Sequence, residues 1–197
     1  VITPSDKFVY VTNPLGYITA FSFATGVLTP VPGSPFAAGS GASALTVDAN
    51  EKFLYTANTA ANTVSGFTIN SSSGALTPMQ GSPYSSAAGT GPSAIAIDPA
   101  NTMVYVTTPG SSYSIWAFTI DSTTGVLTTV KGSPFNLLSG GGLFLLMEPR
   151  GSFFYVANQS VTNVAGYKYD AGTGTPTAIP GSPFATGSTP GQMVIVH

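Results

Sequence analysis

Asp48, Asp98, Glu148 and His197 stand at steps of 50, 50 and 49 residues, each just past a short apolar run such as Leu45-Thr46-Val47 or Ile95-Ala96-Ile97. Three carboxylates and an imidazole gathered around one axis could hold a divalent cation, because carboxylate oxygens and a neutral ring nitrogen are ordinary ligands for one. The same positions also suit turn chemistry, in which an Asp after a strand accepts backbone N–H bonds from its own turn. The turn is the stronger reading. The sequence therefore predicts no cofactor, with a divalent cation as the alternative.

Tyr17, Tyr84 and Tyr113 offer different chemistry. They sit on or beside uncharged stretches rich in Ser and Gly, where a phenol could stack on a sugar ring and hydrogen-bond its hydroxyls. Packing is the stronger reading for Tyr84, since Phe36, Phe135 and Phe184 fill its place in sister segments. Trp116, at strand spacing, reads as core. Gly140-Gly141-Gly142 lacks the strand–loop–helix setting of a phosphate loop and is not read as one.

The elements that position these residues repeat. Gly-Ser-Pro-aromatic occurs at 33–36, 81–84, 132–135 and 181–184, in steps of 48, 51 and 49 residues. An apolar run ending in Tyr keeps the same beat at Tyr10, Tyr55, Tyr105 and Tyr155. One period shared by two independent markers means internal repetition.

Within the unit 42–84, four strands can be read. They cover 42–47, 52–57, 63–69 and 75–79, separated by a polar Asp/Asn turn, a short loop and a Gly-containing hairpin. Pro30 and Pro78 suit an outer edge, where a missing N–H faces solvent. No segment carries a sustained 3.6-residue apolar period, and the chain reads as all-β. Four antiparallel strands per unit of about fifty residues describe a blade of a β-propeller.

Tyr10-Val11-Thr12-Asn13, with the variants Tyr55-Thr56-Ala57-Asn58, Tyr155-Val156-Ala157-Asn158 and Tyr105-Val106-Thr107-Thr108, resembles the signature of the YVTN β-propeller repeats. With the Asp98-Pro99 turn and the Thr-Gly-x-Leu-Thr hairpins, the whole chain is similar to the bacterial lactonase-like propellers, relatives of 6-phosphogluconolactonase. That resemblance implies seven blades and lactone hydrolysis; this chain holds four units.

The expected fold is one domain, 1–197, of four four-stranded antiparallel blades. Its units are 1–41 plus 191–197, 42–91, 92–141 and 142–190. The tail Gln192–His197 matches a first strand, so its pairing with the N-terminal strands would close the ring. Val1-Ile2-Thr3 duplicates the end of that tail. Two other readings therefore stand beside the closed ring: a half-ring that dimerises to eight blades, and part of a larger propeller. The opening on Val1 fits a removed leader or a section of a longer chain.

Propellers place ligands on the face formed by two loop sets, here 33–42, 81–93, 132–142 and 181–192, with 13–17, 58–62, 108–114 and 158–163. None of these loops contains Asp, Glu, Lys, Arg or His. Acid–base catalysis and metal-assisted hydrolysis both need such groups. Phosphosugar recognition wants clustered cations, and five Lys and Arg are scattered along the chain.

The net charge of -2 gives no electrostatic case for nucleic acid. The longest apolar run, 143–147, is far short of a membrane span. Charged residues make up 6% of the chain against 43% hydrophobic, with no Cys, so solubility rests on Ser, Thr, Asn and Gly. The residues thus read against catalysis. They favour an extracellular or cell-surface scaffold, adhesion or self-assembly module, partnered by itself, another surface protein or a glycan. The alternatives are a carbohydrate or small-ligand binding propeller, or a lactonase-type hydrolase as the resemblance implies.

Overall fold

The computed structural model describes residues 1–85, 91–109, 113–138, 140–191 and 193–195. Four antiparallel sheets follow one another in a propeller-like array. The first holds β1 (Phe8–Asn13), β2 (Tyr17–Ala24), β3 (Val27–Pro30) and β4 (Phe36–Ala37). The second holds β5 (Ala42–Val47), β6 (Phe53–Asn58), β7 (Thr63–Ile69), β8 (Leu76–Pro78) and β9 (Tyr84–Ser85). The third holds β10 (Ala94–Ile97), β11 (Met103–Thr108), β12 (Ser114–Ile120), β13 (Leu127–Thr129) and β14 (Phe135–Asn136). The fourth holds β15 (Gly142–Met147), β16 (Phe153–Asn158), β17 (Asn163–Tyr169), β18 (Pro176–Ala178) and β19 (Phe184–Ala185).

The Gly-Ser-Pro-aromatic segment is not the joint between units that its place in the sequence suggests. In each sheet the outer strand is broken in two, and both pieces pair with the same neighbour: β3 and β4 with β2, β8 and β9 with β7. The motif is the loop inside that broken strand. Its Ser hydroxyl accepts the backbone N–H that the gap would orphan: Ala20 to Ser34 at 2.9 Å, Gly66 to Ser82 at 3.0 Å, Ala117 to Ser133 at 3.0 Å and Gly166 to Ser182 at 2.9 Å. All four Ser-Pro bonds are cis. The edge prolines sit as expected, Pro30 opposite Phe21 and Pro78 opposite Phe67.

The cores lie between sheets. Phe53, Tyr55 and Met79 of the second sheet pack on Trp116, Phe118 and Leu127 of the third. Met103, Tyr105 and Val130 repeat that arrangement against Phe154, Tyr167 and Tyr169. Phe8, Tyr10 and Val31 do the same against Phe67, Ile69 and Leu76. Each repeat tyrosine faces a small cross-strand residue: Tyr10 opposite Ala20, Tyr55 opposite Gly66, Tyr105 opposite Ala117. At Gly66 an added Cβ would lie 3.2 Å from the Tyr55 ring and 2.9 Å from Met79 Sδ. The ring is thereby free to reach the next sheet, where its hydroxyl donates to a hairpin Gly carbonyl. Tyr10 bonds Gly74 at 2.8 Å, Tyr55 bonds Gly125 at 2.6 Å and Tyr105 bonds Gly174 at 3.0 Å. Three joints share one lock.

The ring closure expected of the tail does not form. Residues 193–195 carry no strand, and Gln192, Val196 and His197 lie outside the described residues. The inner edge of β1 is instead taken by Val1–Thr3, with Ile2 bridged to Val9, Tyr10 N–H donating to the Val1 carbonyl at 2.9 Å and Thr3 N–H to that of Phe8 at 2.9 Å. That pairing needs only a four-residue turn, a short loop of low closure entropy.

Candidate functional site at the axial loops

The turns between first and second strands show where the acidic residues go. Asp48 Oδ1 accepts the N–H groups of Lys52 and Phe53, both at 2.7 Å, and Asp48 Oδ2 accepts that of Asn50 at 3.2 Å. Asp98 accepts from Thr102 N and Met103 N at 2.7 Å and from the Thr102 hydroxyl at 2.9 Å. Both carboxylates are buried, and local N–H bonds offset the cost of desolvating them. In the first sheet Thr3 takes the same role, its Oγ1 accepting from Phe8 N at 3.2 Å. That is the repeat position at which the sequence offers His197. Glu148 is half-buried at its own turn. Among the described residues, no three His, Cys, Asp or Glu side chains gather to hold a metal ion.

These turns also tie neighbouring sheets. Both Ser5 N–H and its hydroxyl donate to the Glu51 carboxylate, the latter at 2.7 Å, and Ala49 N–H donates to Asn101 Oδ1 at 3.0 Å. Glu51 and Asn101 hold left-handed backbone at φ 55 and 57, a conformation Asn and Gly enter most easily. The equivalent tie between third and fourth sheets is absent, because Pro99 has no N–H and Gly151 no side chain; a Cβ on Gly151 would rest 3.6 Å from the Pro99 ring.

The axial loop face has a different character. Asn58 Nδ2 reaches Thr63 Oγ1 at 3.1 Å and Ser65 Oγ at 2.8 Å, clamping its own loop, and Asn158 does so through Asn163 Oδ1 at 2.8 Å. The loop arriving from the previous sheet lies directly on this clamp. An added Cβ on Gly39 would stand 2.5 Å from Asn58 Nδ2, and one on Gly41 would stand 2.4 Å from Ala60 N. Hydroxyls then link one sheet to the next. Thr12 donates to the Ser43 carbonyl at 3.3 Å, Thr59 to that of Pro92 at 2.6 Å, and Ser93 and Thr107 to that of Gly142 at 2.9 and 2.8 Å.

Sequence reasoning passed over these hydroxyls, although Ser43 and Ser93 are spaced 50 residues apart. They give the face neutral donors and acceptors, and no loop on it carries a charged side chain.

Two of the three tyrosines are well exposed here: Tyr17 at 43% and Tyr113 at 37%. Tyr113 lies against Gly140, where a Cβ would stand 2.3 Å from its ring. Tyr84 is half-buried and donates to the Gln80 carbonyl at 3.3 Å. Burial pushes its phenol above the ordinary range. Trp116 is a core residue, stacked on Phe118 at 6.3 Å. An open cavity of about 390 Å³ lies elsewhere, on the flank of the fourth sheet, against Phe153, Tyr155, Ile179 and Pro180.

With this geometry stand the comparisons with known proteins. The family described as lactonase, seven-bladed β-propeller, matches residues 1–190. A solved putative 6-phosphogluconolactonase of Bacteroides fragilis superimposes with a TM-score of 0.85 at 23% identity, over 96% of this chain and 55% of that one. The periplasmic gluconolactonase of Pseudomonas aeruginosa gives 0.79 at 19% identity, over 93% and 54%. A putative 6-phosphogluconolactonase of Bacteroides uniformis gives 0.84 at 19%, over 96% and 55%. No curated protein matches the chain. This chain therefore spans about 55% of the length of the solved structures it resembles.

The family match overturns the expectation of a non-catalytic scaffold, adhesion or self-assembly module, and with it the reading against enzymatic activity. That expectation weighed the uncharged loops of four sheets as if they were a whole active face, whereas the family's propeller has seven blades. By the match over residues 1–190, this chain belongs to the lactonase family of seven-bladed β-propellers.

Proposed function

We propose that the chain is the four-blade portion of a lactone hydrolase, and that its axial loop face forms the neutral wall against which a sugar lactone is held. The observation that carries the reading is the lactonase family match over residues 1–190. Hydrolysis of a lactone adds water to the ring carbonyl and expels the ring oxygen, so the site must hold the sugar, polarise the carbonyl and move a proton.

This chain's share is the holding. Tyr17 and Tyr113 offer exposed rings for stacking and phenol hydroxyls for the sugar's own, beside loops of Ser, Thr, Asn and Gly. The acids sit at the far turns and outer hairpins. We therefore assign proton transfer to the blades that the relatives have beyond this span. Because the loop face carries no cation, the contacts this span offers are to the hydroxyls of the sugar rather than to a phosphate. We place the protein outside the cytoplasm, consistent with its low charge and with the periplasmic relative from Pseudomonas aeruginosa.

Calorimetric titration with glucono-lactone and with its 6-phosphate, alongside pH-stat hydrolysis, tests the proposal. Binding of the neutral lactone, weakened about tenfold by Tyr17→Ala or Tyr113→Ala, is expected, a loss of about 1.4 kcal/mol. Absence of binding by either lactone would overturn it.

A further inference from the structure

One row of side chains in the joint between the first and second sheets is polar where its counterparts are apolar. In the third sheet the row Ile95–Val106–Trp116 crosses three strands and packs in the core shared with the second sheet. In the fourth, Leu145–Val156–Ala165 packs in the same way against the third. The second sheet places Leu45, Thr56 and Ser65 in that row. By the alternation of the strand, Thr56 shares its face with Leu54, which packs with Tyr10 and Ile18 of the first sheet. Asn58 lies two residues further along this face, beneath Gly39 of the arriving loop.

The three polar side chains are sealed: Thr56 and Asn58 are 0% exposed and Ser65 is 4%. Asn58 spends its amide protons on Thr63 Oγ1 at 3.1 Å and Ser65 Oγ at 2.8 Å. Its Oδ1 then has no donor, and Thr56 Oγ1 has no partner of either kind, among the described residues. Turning the amide over would only orphan its Nδ2 instead. A buried oxygen left unpaired carries the full cost of its lost hydration, and here two neighbours carry it. A water molecule can meet both, because it donates and accepts at once.

We infer that this joint binds one ordered water, which donates to Asn58 Oδ1 and pairs with the hydroxyls of Thr56 and Ser65. Three partners match the number an internal water typically makes. Residues two apart on one strand face lie about 6–7 Å from each other, a span suited to a bridge. The water ties the Asn58 clamp to the strand beneath it, and through the clamp it fixes the 58–62 loop on the axial face. The third and fourth sheets need no such ligand, because Val106 and Val156 stand where Thr56 does. The inference is independent of the lactone reading, since it uses only residues sealed inside a joint.

High-resolution crystallography of the wild-type protein tests it, with density expected for one water within about 3.2 Å of both Asn58 Oδ1 and Thr56 Oγ1. Thr56→Ser keeps a hydroxyl and should keep the water. Thr56→Val, which installs the sister residue, should lower the folding equilibrium constant about tenfold, because the water loses a partner that Asn58 Oδ1 cannot replace. Thr56→Val with Ser65→Ala copies the apolar row of the fourth sheet and should lose the water. A wild-type structure in which Thr56 and Asn58 find only protein partners overturns the inference. So does a Thr56→Val protein as stable as wild type, and so does water density unchanged in the double variant.

Discussion

The joint between the second and third sheets and the open flank of the fourth carry matching side chains in unlike surroundings. Tyr55 is fully buried, bonded to the Gly125 carbonyl and packed among Phe53, Met79 and Leu127. Tyr155 likewise has Phe two residues before it and a glycine, Gly166, across the strand, but an open cavity beside it. The difference teaches that a blade's core residues are completed by the neighbouring sheet, and that a sheet alone leaves its largest side chains half solvated. Stability in such an array is a sum over joints.

The comparison breaks most visibly by truncating the tyrosine. Tyr55→Ala should cost about 3–5 kcal/mol, the loss expected for deleting a buried aromatic ring. Tyr155→Ala, at a half-buried ring, should cost about 1 kcal/mol, the centre of the range for single substitutions. Urea denaturation of both variants decides it, and equal losses would mean the fourth flank is covered in solution.

Gly125 and Gly26 sharpen the contrast from the hairpin side. Both hold left-handed backbone, so Ala at either should cost about 1–2 kcal/mol in strain. At Gly125 the new Cβ would also press on Met79 and Phe53, 2.5 and 2.6 Å away, adding about 1–3 kcal/mol of overpacking. At Gly26 nothing lies within 4 Å. Thermal melts of the two variants should differ by that second contribution alone.

The smallest effect at neutral pH is one of protonation. Burial pushes the Tyr10, Tyr55 and Tyr105 phenols far above their ordinary range, with nearby acidic and phenolic groups adding to it. A raised folded pKa means that the folded state keeps its protons longer than the unfolded chain. The three joints are therefore at full strength below about pH 10, and weaken as pH rises from there toward the folded values. Phenolate absorbance followed together with circular dichroism should show these tyrosines ionising only as the fold is lost. Their ionisation ahead of any structural change would show that the joints are wetter than described.

Much of the architecture was legible in the residues. Strands at 42–47 and 63–69 appear at the boundaries that apolar runs and turn residues indicate, because alternation and β-branching act locally. Pro30 and Pro78 lie at edges for the same local reason. The place of the Gly-Ser-Pro-aromatic motif was less legible. Sequence order puts it after the last strand of each unit, while Ser34 and its sisters fold back to satisfy an N–H of the preceding strand. The site was less legible still. Asp48 and Asp98 share a period that a metal site and a turn cap would both produce, and the hydrogen bonds they accept from their own turns are not written in that period.

What the sequence by itself determined is the repeat, its four-stranded content, and the neutrality of the loop face, all of which follow from residue type and spacing. Tertiary structure decided which segment completes the first sheet, where the acidic side chains spend their oxygens, and which tyrosines are sealed. Those outcomes turn on competition between distant parts of the chain. Val1–Thr3 folds back on β1 across a short turn that costs little entropy to close. A repeat tyrosine is buried only where another sheet supplies the glycine hairpin above it.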